Sequence, residues 1–185
     1  PQGTYVNWLR EDSEQHPINK VDWFQAATFC AWVGARLPTE AEWEFAARSR
    51  GKDYLYPWGD QRMSCDLAVF RDGASGCGID NTAEVCSRPV GNSEQGLCDM
   101  SGNLGEWVQD KFSPSYQGAP EDGSAWEPEE LGRRVLRGGA LGASAPVHTT
   151  RYRAGRPPSY PCRGIGLRCA RQRSSSSTSS TPRTE

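Results

Sequence analysis

The sequence is poor in histidine, in net charge and in apolar length. His16 and His148 are the only histidines in 185 residues, so a centre built from three imidazoles cannot be assembled. Seven cysteines are present without a single C-x-x-C pair. That spacing argues against structural zinc at Cys65, Cys77, Cys86 and Cys98. The formal net charge is −2. The chain therefore lacks the basic field that binds a nucleic-acid backbone. No apolar run approaches the roughly 18 residues that span a bilayer. No internal repeat is visible. Apolar content is low at 36%, yet 7 Trp, 6 Tyr and 5 Phe can build a core.

What is abundant is turn chemistry. The chain has 20 Gly and 13 Pro, which predicts a loop-rich α+β fold with short elements. Its length suits one compact domain, residues 1–172, followed by a disordered Ser/Thr-rich tail at 173–185. The cysteine density points to disulfides and an oxidising compartment, and the odd count leaves at least one thiol free or intermolecular.

Two helices are legible. Residues 21–34 read as the first, with Asp22 as N-cap, Gly34 as stop, and Ala26, Cys30 and Val33 on one face. Thr39-Glu-Ala-Glu42 is a capping box that opens the second. Ala41 with Phe45, and Trp43 with Ala47, carry its apolar period to about Arg48. Residues 51–105 form a Gly/Asp/Asn/Cys-rich stretch too long for an untied loop. Disulfides or bound cations are the natural ties. Residues 134–139, 149–154 and 165–171 read as short strands.

The residues His16-Pro-Ile-Asn-Lys-Val-Asp-Trp23, Cys30-Ala-Trp32 and Arg36-Leu-Pro-Thr-Glu-Ala-Glu-Trp-Glu44 resemble the formylglycine-generating enzyme, or sulfatase-modifying factor, family. Tyr56-Pro-Trp-Gly-Asp60, Gly102-Asn-Leu-Gly-Glu-Trp107, Val135-Leu-Arg-Gly-Gly139 and Gly164-Ile-Gly-Leu-Arg-Cys169 continue the likeness in family order. The resemblance implies a C-type-lectin-like fold with two helices and small antiparallel sheets. It implies a Cys30–Cys169 disulfide. It also implies structural calcium at two loop sites, since calcium takes six to eight oxygen ligands. One site would use the Asp99 and Glu106 side chains with the Gly102 and Leu104 carbonyls. The other would use Asp66 and Asp80 with the Leu67 and Thr82 carbonyls.

The family's chemistry is oxidation of a substrate cysteine to formylglycine by oxygen, with copper(I) held by two cysteines. Here the stretch between the Gly-Gly turn and Arg151-Tyr-Arg153 has no cysteine. The two thiolate positions fall on Ala143 and His148, or on Ser144 and Thr149. Neither pair offers the soft ligands copper(I) needs, so copper is not expected. Ala140, Gly105 and Gly164 replace further family site residues, and the central-strand arginine persists as Arg151 or Arg153. The expectation is a binding module rather than an enzyme, with a protein, peptide or glycan as ligand. Its surface would combine Trp126, on the 108–134 loop, with His148, Arg151, Tyr152, Arg153, Arg156 and Tyr160. The alternative is a formylglycine-generating oxidase or a related oxidase of the superfamily. The expected location is extracytoplasmic (secreted, periplasmic or lipid-anchored), with the leader not in this chain.

Overall fold

The computed structural model describes residues 7, 11, 13–71, 77 and 81–171. The expected 173–185 tail and Asp80 lie outside the described residues.

Both helices start where side-chain chemistry dictates. In α1 (Trp23–Trp32) the Asp22 carboxylate accepts from the Gln25 N–H, while the Gln25 side chain accepts from the Asp22 N–H. In α2 (Glu40–Ala47) Thr39 and Glu42 do the same. Each cap satisfies donors that the first helical turn leaves open. Only the small residues Ala26 and Cys30 of α1 are fully buried, which lets the helix lie close to the sheet. In α2 the buried residues are Glu40, Trp43 and Ala47. Phe45 and Ala41 face out, so of the two apolar pairs expected on this helix, Trp43–Ala47 is the inward one.

The strands are β1 (Gly105–Lys111), β2 (Arg134–Arg137), β3 (Ala154–Arg156) and β4 (Ile165–Leu167). They form one sheet in the order β3-β2-β1-β4. β1 pairs antiparallel with β2 through Trp107↔Leu136, and β2 antiparallel with β3 through Leu136↔Ala154. β1 pairs parallel with β4 through Glu106↔Gly166. The sheet is thus mixed, a correction to the expected antiparallel sheets. The last segment returns along β1 in the same direction, where Cys169, just past β4, bridges to Cys30 on α1.

The sheet lies between the helices. On one face Trp107, Leu136 and Ile165 pack with Ala26, Cys30 and Leu37. On the other, Val108, Val135 and Met100 pack with Trp43 and Ala47. Trp43 and Trp107 are 1% and 0% exposed. Burying an indole of that size is worth on the order of 4–6 kcal/mol as an upper bound.

Two strand boundaries differ from the sequence reading. Residues 149–153 are not a strand, because Arg137 takes the carbonyls of Thr150 and Arg151. Those carbonyls are then held by a side chain instead of a ladder. β4 stops at Leu167, and the chain next makes a bridge between Ala170 and Arg36.

The long 51–104 segment is tied as anticipated, by Cys65–Cys77 and Cys86–Cys98. It carries a separate apolar cluster of Tyr56, Met63, Ala68 and Phe70. Three disulfides fit an oxidising compartment. Among the described residues no helix is long and apolar enough to cross a membrane.

Candidate functional site

The end of β2 shapes the first cavity. Gly138 and Gly139 both adopt left-handed backbone, at φ +89° and +71°, and turn the chain off the sheet. A Cβ on Gly139 would fall 2.5 Å from the His148 ring, so only glycine lets that ring approach. The returning 140–164 segment then closes a cavity of about 230 Å³ on the α1 side of the sheet. Its walls are mainly small or aliphatic: Gly105, Ala140, Ala143, Val147, Gly164 and Ile165. Tyr152, Arg156, Tyr160, Cys162 and the buried Arg137 also line it. Cys162 is the single free thiol, because the other six cysteines are bridged.

The expected ligand surface is divided by the fold. Tyr152, Arg156 and Tyr160 do meet at this cavity. His148 does not, because it is fully buried behind the wall. Its Nδ1 lies 3.0 Å from the Ser144 carbonyl oxygen and its Nε2 3.0 Å from that of Ala140. A neutral ring can donate to only one of them. Burial pushes the imidazole pKa below its usual value, and the two carbonyls pull the other way. Arg151 is exposed and paired with Asp53. Trp126 lines a different cavity.

Arg153 is engaged in a buried charge network. Its Nε and Nη2 each lie 2.6 Å from the Glu40 carboxylate. Arg137, 1% exposed, donates to Glu40 at 3.2 Å and to Glu44 at 2.6 Å. Asp110 accepts from the backbone N–H groups of Glu40 and Trp126 at 2.6 and 2.9 Å. Burial, aided by the Glu40 charge, pushes the Asp110 carboxyl pKa up against those two bonds. The Tyr116 hydroxyl donates to Glu40, and burial with the Glu40 charge pushes its pKa up to about 12. Glu40, Glu44 and Asp110 of this network line the cavity of about 360 Å³ that Phe45, Tyr116 and Trp126 wall. Its acids already hold partners, so this larger space is a structural junction between α2 and the 113–132 loop.

The residues expected to hold cations separate as well. Asp99, Leu104 and Glu106 line a third cavity, of about 200 Å³, together with Asn103 and Arg168. Asp99 accepts from the Cys86 N–H at 2.9 Å, and burial raises its pKa. Glu106 accepts two bonds from Arg168, at 2.5 and 2.7 Å, and one from the Trp43 indole at 2.7 Å. Its Oε1 accepts only one of these, from Arg168 Nη2, and keeps lone-pair capacity for a cation. The donor set is hard oxygen, which suits calcium. Gly102 does not line this space; its N–H donates to the Gly138 carbonyl and its Cα packs on Val69. Cys86, Cys98 and Asp99 also place ligand atoms within 4.8 Å of one another. The two sulfurs are bridged, so Asp99 alone could serve a metal there.

Of the second expected set, Asp80 lies outside the described residues, and the other three are placed as follows. Asp66 is exposed. The Leu67 carbonyl packs against Gly91. The Thr82 side chain is buried and bonded to Asn7 and His16.

The cavity beside Cys162 gathers Ala143, one of the expected thiolate positions, with Ala140, Gly105 and Gly164, which replace further family site residues. A family model described as the sulfatase-modifying factor enzyme 1-like domain matches residues 3–173. The chain belongs to this sulfatase-modifying factor family. It is 36% identical over 168 residues to a formylglycine-generating enzyme of Streptomyces coelicolor, covering 84% of this chain and 52% of the relative. It is 35% identical over 175 residues to an inactive Cα-formylglycine-generating enzyme 2 of Bos taurus, covering 88% and 52%. The family member described here thus spans about half the length of these relatives. PvdO from Pseudomonas aeruginosa superposes with a TM-score of 0.73 at 28% identity, covering 85% of this chain and 62% of that one. The relatives include members named formylglycine-generating enzyme and members named inactive, so the site's own residues must carry the functional argument.

Sequence reasoning placed Cys162 near the site along the chain but missed it as a wall of this cavity. Its distance along the chain from Ala143 disguised the contact, and only the turn at residues 157–160 returns it. It also missed Glu40 and Arg137 as a buried pair. A charged residue at the first position of a helix reads as dipole compensation, with nothing local to show its burial.

Proposed function

We propose that this chain is a calcium-stabilised binding module of the family, without formylglycine-generating activity. The observation that carries the proposal is the lining of the 230 Å³ cavity. Where the family chemistry calls for a thiolate pair, the chain has Ala143 and His148, or Ser144 and Thr149; of these Ala143 lines the cavity, whose one thiol is Cys162. A single sulfur cannot supply the two soft ligands that would hold copper(I). The residues present do not fit that metal. The hard-oxygen cavity at Asp99, Leu104 and Glu106 supports a calcium role apart from the binding surface.

Mass spectrometry tests this reading. The purified chain is incubated with copper(I), oxygen and a Cys-x-Pro-x-Arg peptide. The peptide should keep its cysteine. Conversion to the aldehyde at a rate comparable to an active family enzyme would overturn the proposal. The identity to the Streptomyces coelicolor enzyme and the thiol in the wall favour the oxidase reading. Under that reading, any activity found should disappear in Cys162→Ser.

A further inference from the structure

The 230 Å³ cavity has a chemistry that narrows its ligand. It is smaller than the roughly 300–1,000 Å³ of sites that enclose a drug-sized molecule. It is large enough for one side chain. Leu136, Val147, Ile165 and the alanines make most of the interior apolar, with Arg137 as its one buried cation, so most of a sugar's hydroxyls would lose water there without finding partners. An aliphatic side chain would gain from the same transfer.

The rim carries the second signal. Tyr152 and Tyr160 are 38% and 43% exposed. They present rigid amphipathic rings of the kind that hold a peptide backbone at small entropy cost. Arg156 lines the same opening. Arg134, its cross-strand neighbour, pairs with Glu127, and Arg137 pairs with Glu40 and Glu44. Arg156 differs: among the described residues it has no acidic partner, and its hydrogen bond goes to the neighbouring Gly155 carbonyl. An exposed guanidinium beside an apolar hole selects a carboxylate next to the inserted group.

We infer that the cavity takes one aliphatic side chain of an extended acidic peptide, with a flanking carboxylate on Arg156. This deepens the binding-module reading and rests on it. The ligand is opposite in charge to the arginine-bearing peptide the family chemistry would use.

Cys162 supplies a built-in reporter, because it lies in the cavity wall and is the one unbridged cysteine. Its alkylation by iodoacetamide is followed by mass on the intact chain. Three probes are compared: acetylated Gly-Glu-Leu-Glu-Gly, Gly-Glu-Gly-Glu-Gly and Gly-Lys-Leu-Lys-Gly. The acidic leucine probe should slow alkylation at least fivefold at saturation, and the other two should leave it within twofold. In Arg156→Glu, an exposed substitution that leaves the core untouched, the preference should reverse to the lysine probe by tenfold or more. Three results would overturn the inference: no protection by any peptide, equal protection by the acidic and basic probes, or protection by maltose instead. An aldehyde product in the copper assay would sink the binding-module reading whatever the probes do. A charge-blind cavity would sink only this inference.

Discussion

His148 stands behind the cavity wall with both ring nitrogens facing carbonyl oxygens. Burial is the larger effect on it and favours the neutral ring. The folded-state pKa therefore lies below the unfolded one. Its contribution to stability is complete above the ordinary value of about 6.5 and is lost as pH falls through the lowered value. Melting temperature followed from pH 7.5 to 5 should drop in the native chain. In His148→Gln the slope over that window should flatten. An unchanged slope would show that the ring is not what titrates. Glu106 makes a contrasting point about single residues. Arg168 and the Trp43 indole hold its carboxylate, so a residue expected only as a metal ligand also joins α2 to the last segment.

Between elements, the decisive contacts are backbone to backbone. The short 3-10 turn Pro89–Gly91 docks on the 64–67 turn so closely that a Cβ on Gly91 would sit 1.7 Å from the Leu67 carbonyl oxygen. The neighbour is main chain and cannot swing aside. Gly91→Ala should cost about 3 kcal/mol, the upper part of the overpacking range, read as a lowered urea midpoint. Gly132 has nothing within 4 Å of its added Cβ, so Gly132→Ala should stay within about 0.5 kcal/mol. Equal effects at the two sites would refute the close docking. The helices were legible at this scale because their signals are local: Asp22 with Gln25, and Thr39 with Glu42, are three residues apart. β1 was not legible. It is buried on both faces, with Trp107 toward α1 and Val108 toward α2. Its Glu106 and Asp110 are buried with partners. No alternating pattern survives in Gly-Glu-Trp-Val-Gln-Asp-Lys, so the central strand of the sheet reads as loop.

For the molecule as a whole, closure is covalent and loop-rich. The Cys30–Cys169 bridge spans 139 residues, which corresponds to about 5 kcal/mol in the chain-entropy model. A cation at Asp99 and Glu106 would add to this by binding the folded state only. At calcium 100 times its dissociation constant the gain is ~2.7 kcal/mol. Chelation of a calcium-loaded sample should lower the melting temperature, and Asp99→Ala should remove most of that response. An identical melting curve in excess chelator would refute the cation role.

The amino-acid order alone sufficed for the family, the two capped helices, the Gly-Gly turn and the missing thiolate pair. Each of these is written in residues adjacent along the chain or in ordered blocks of them. Folding was needed to divide the anticipated ligand surface. Arg153 went to Glu40 because a buried carboxylate demands a cation. His148 went behind the wall because Gly139 leaves room for its ring. Tyr160 and Cys162 joined Tyr152 and Arg156 because the segment after β3 turns back over the small residues 105, 140, 143 and 164. Such convergence depends on distances through space, which no local spacing encodes.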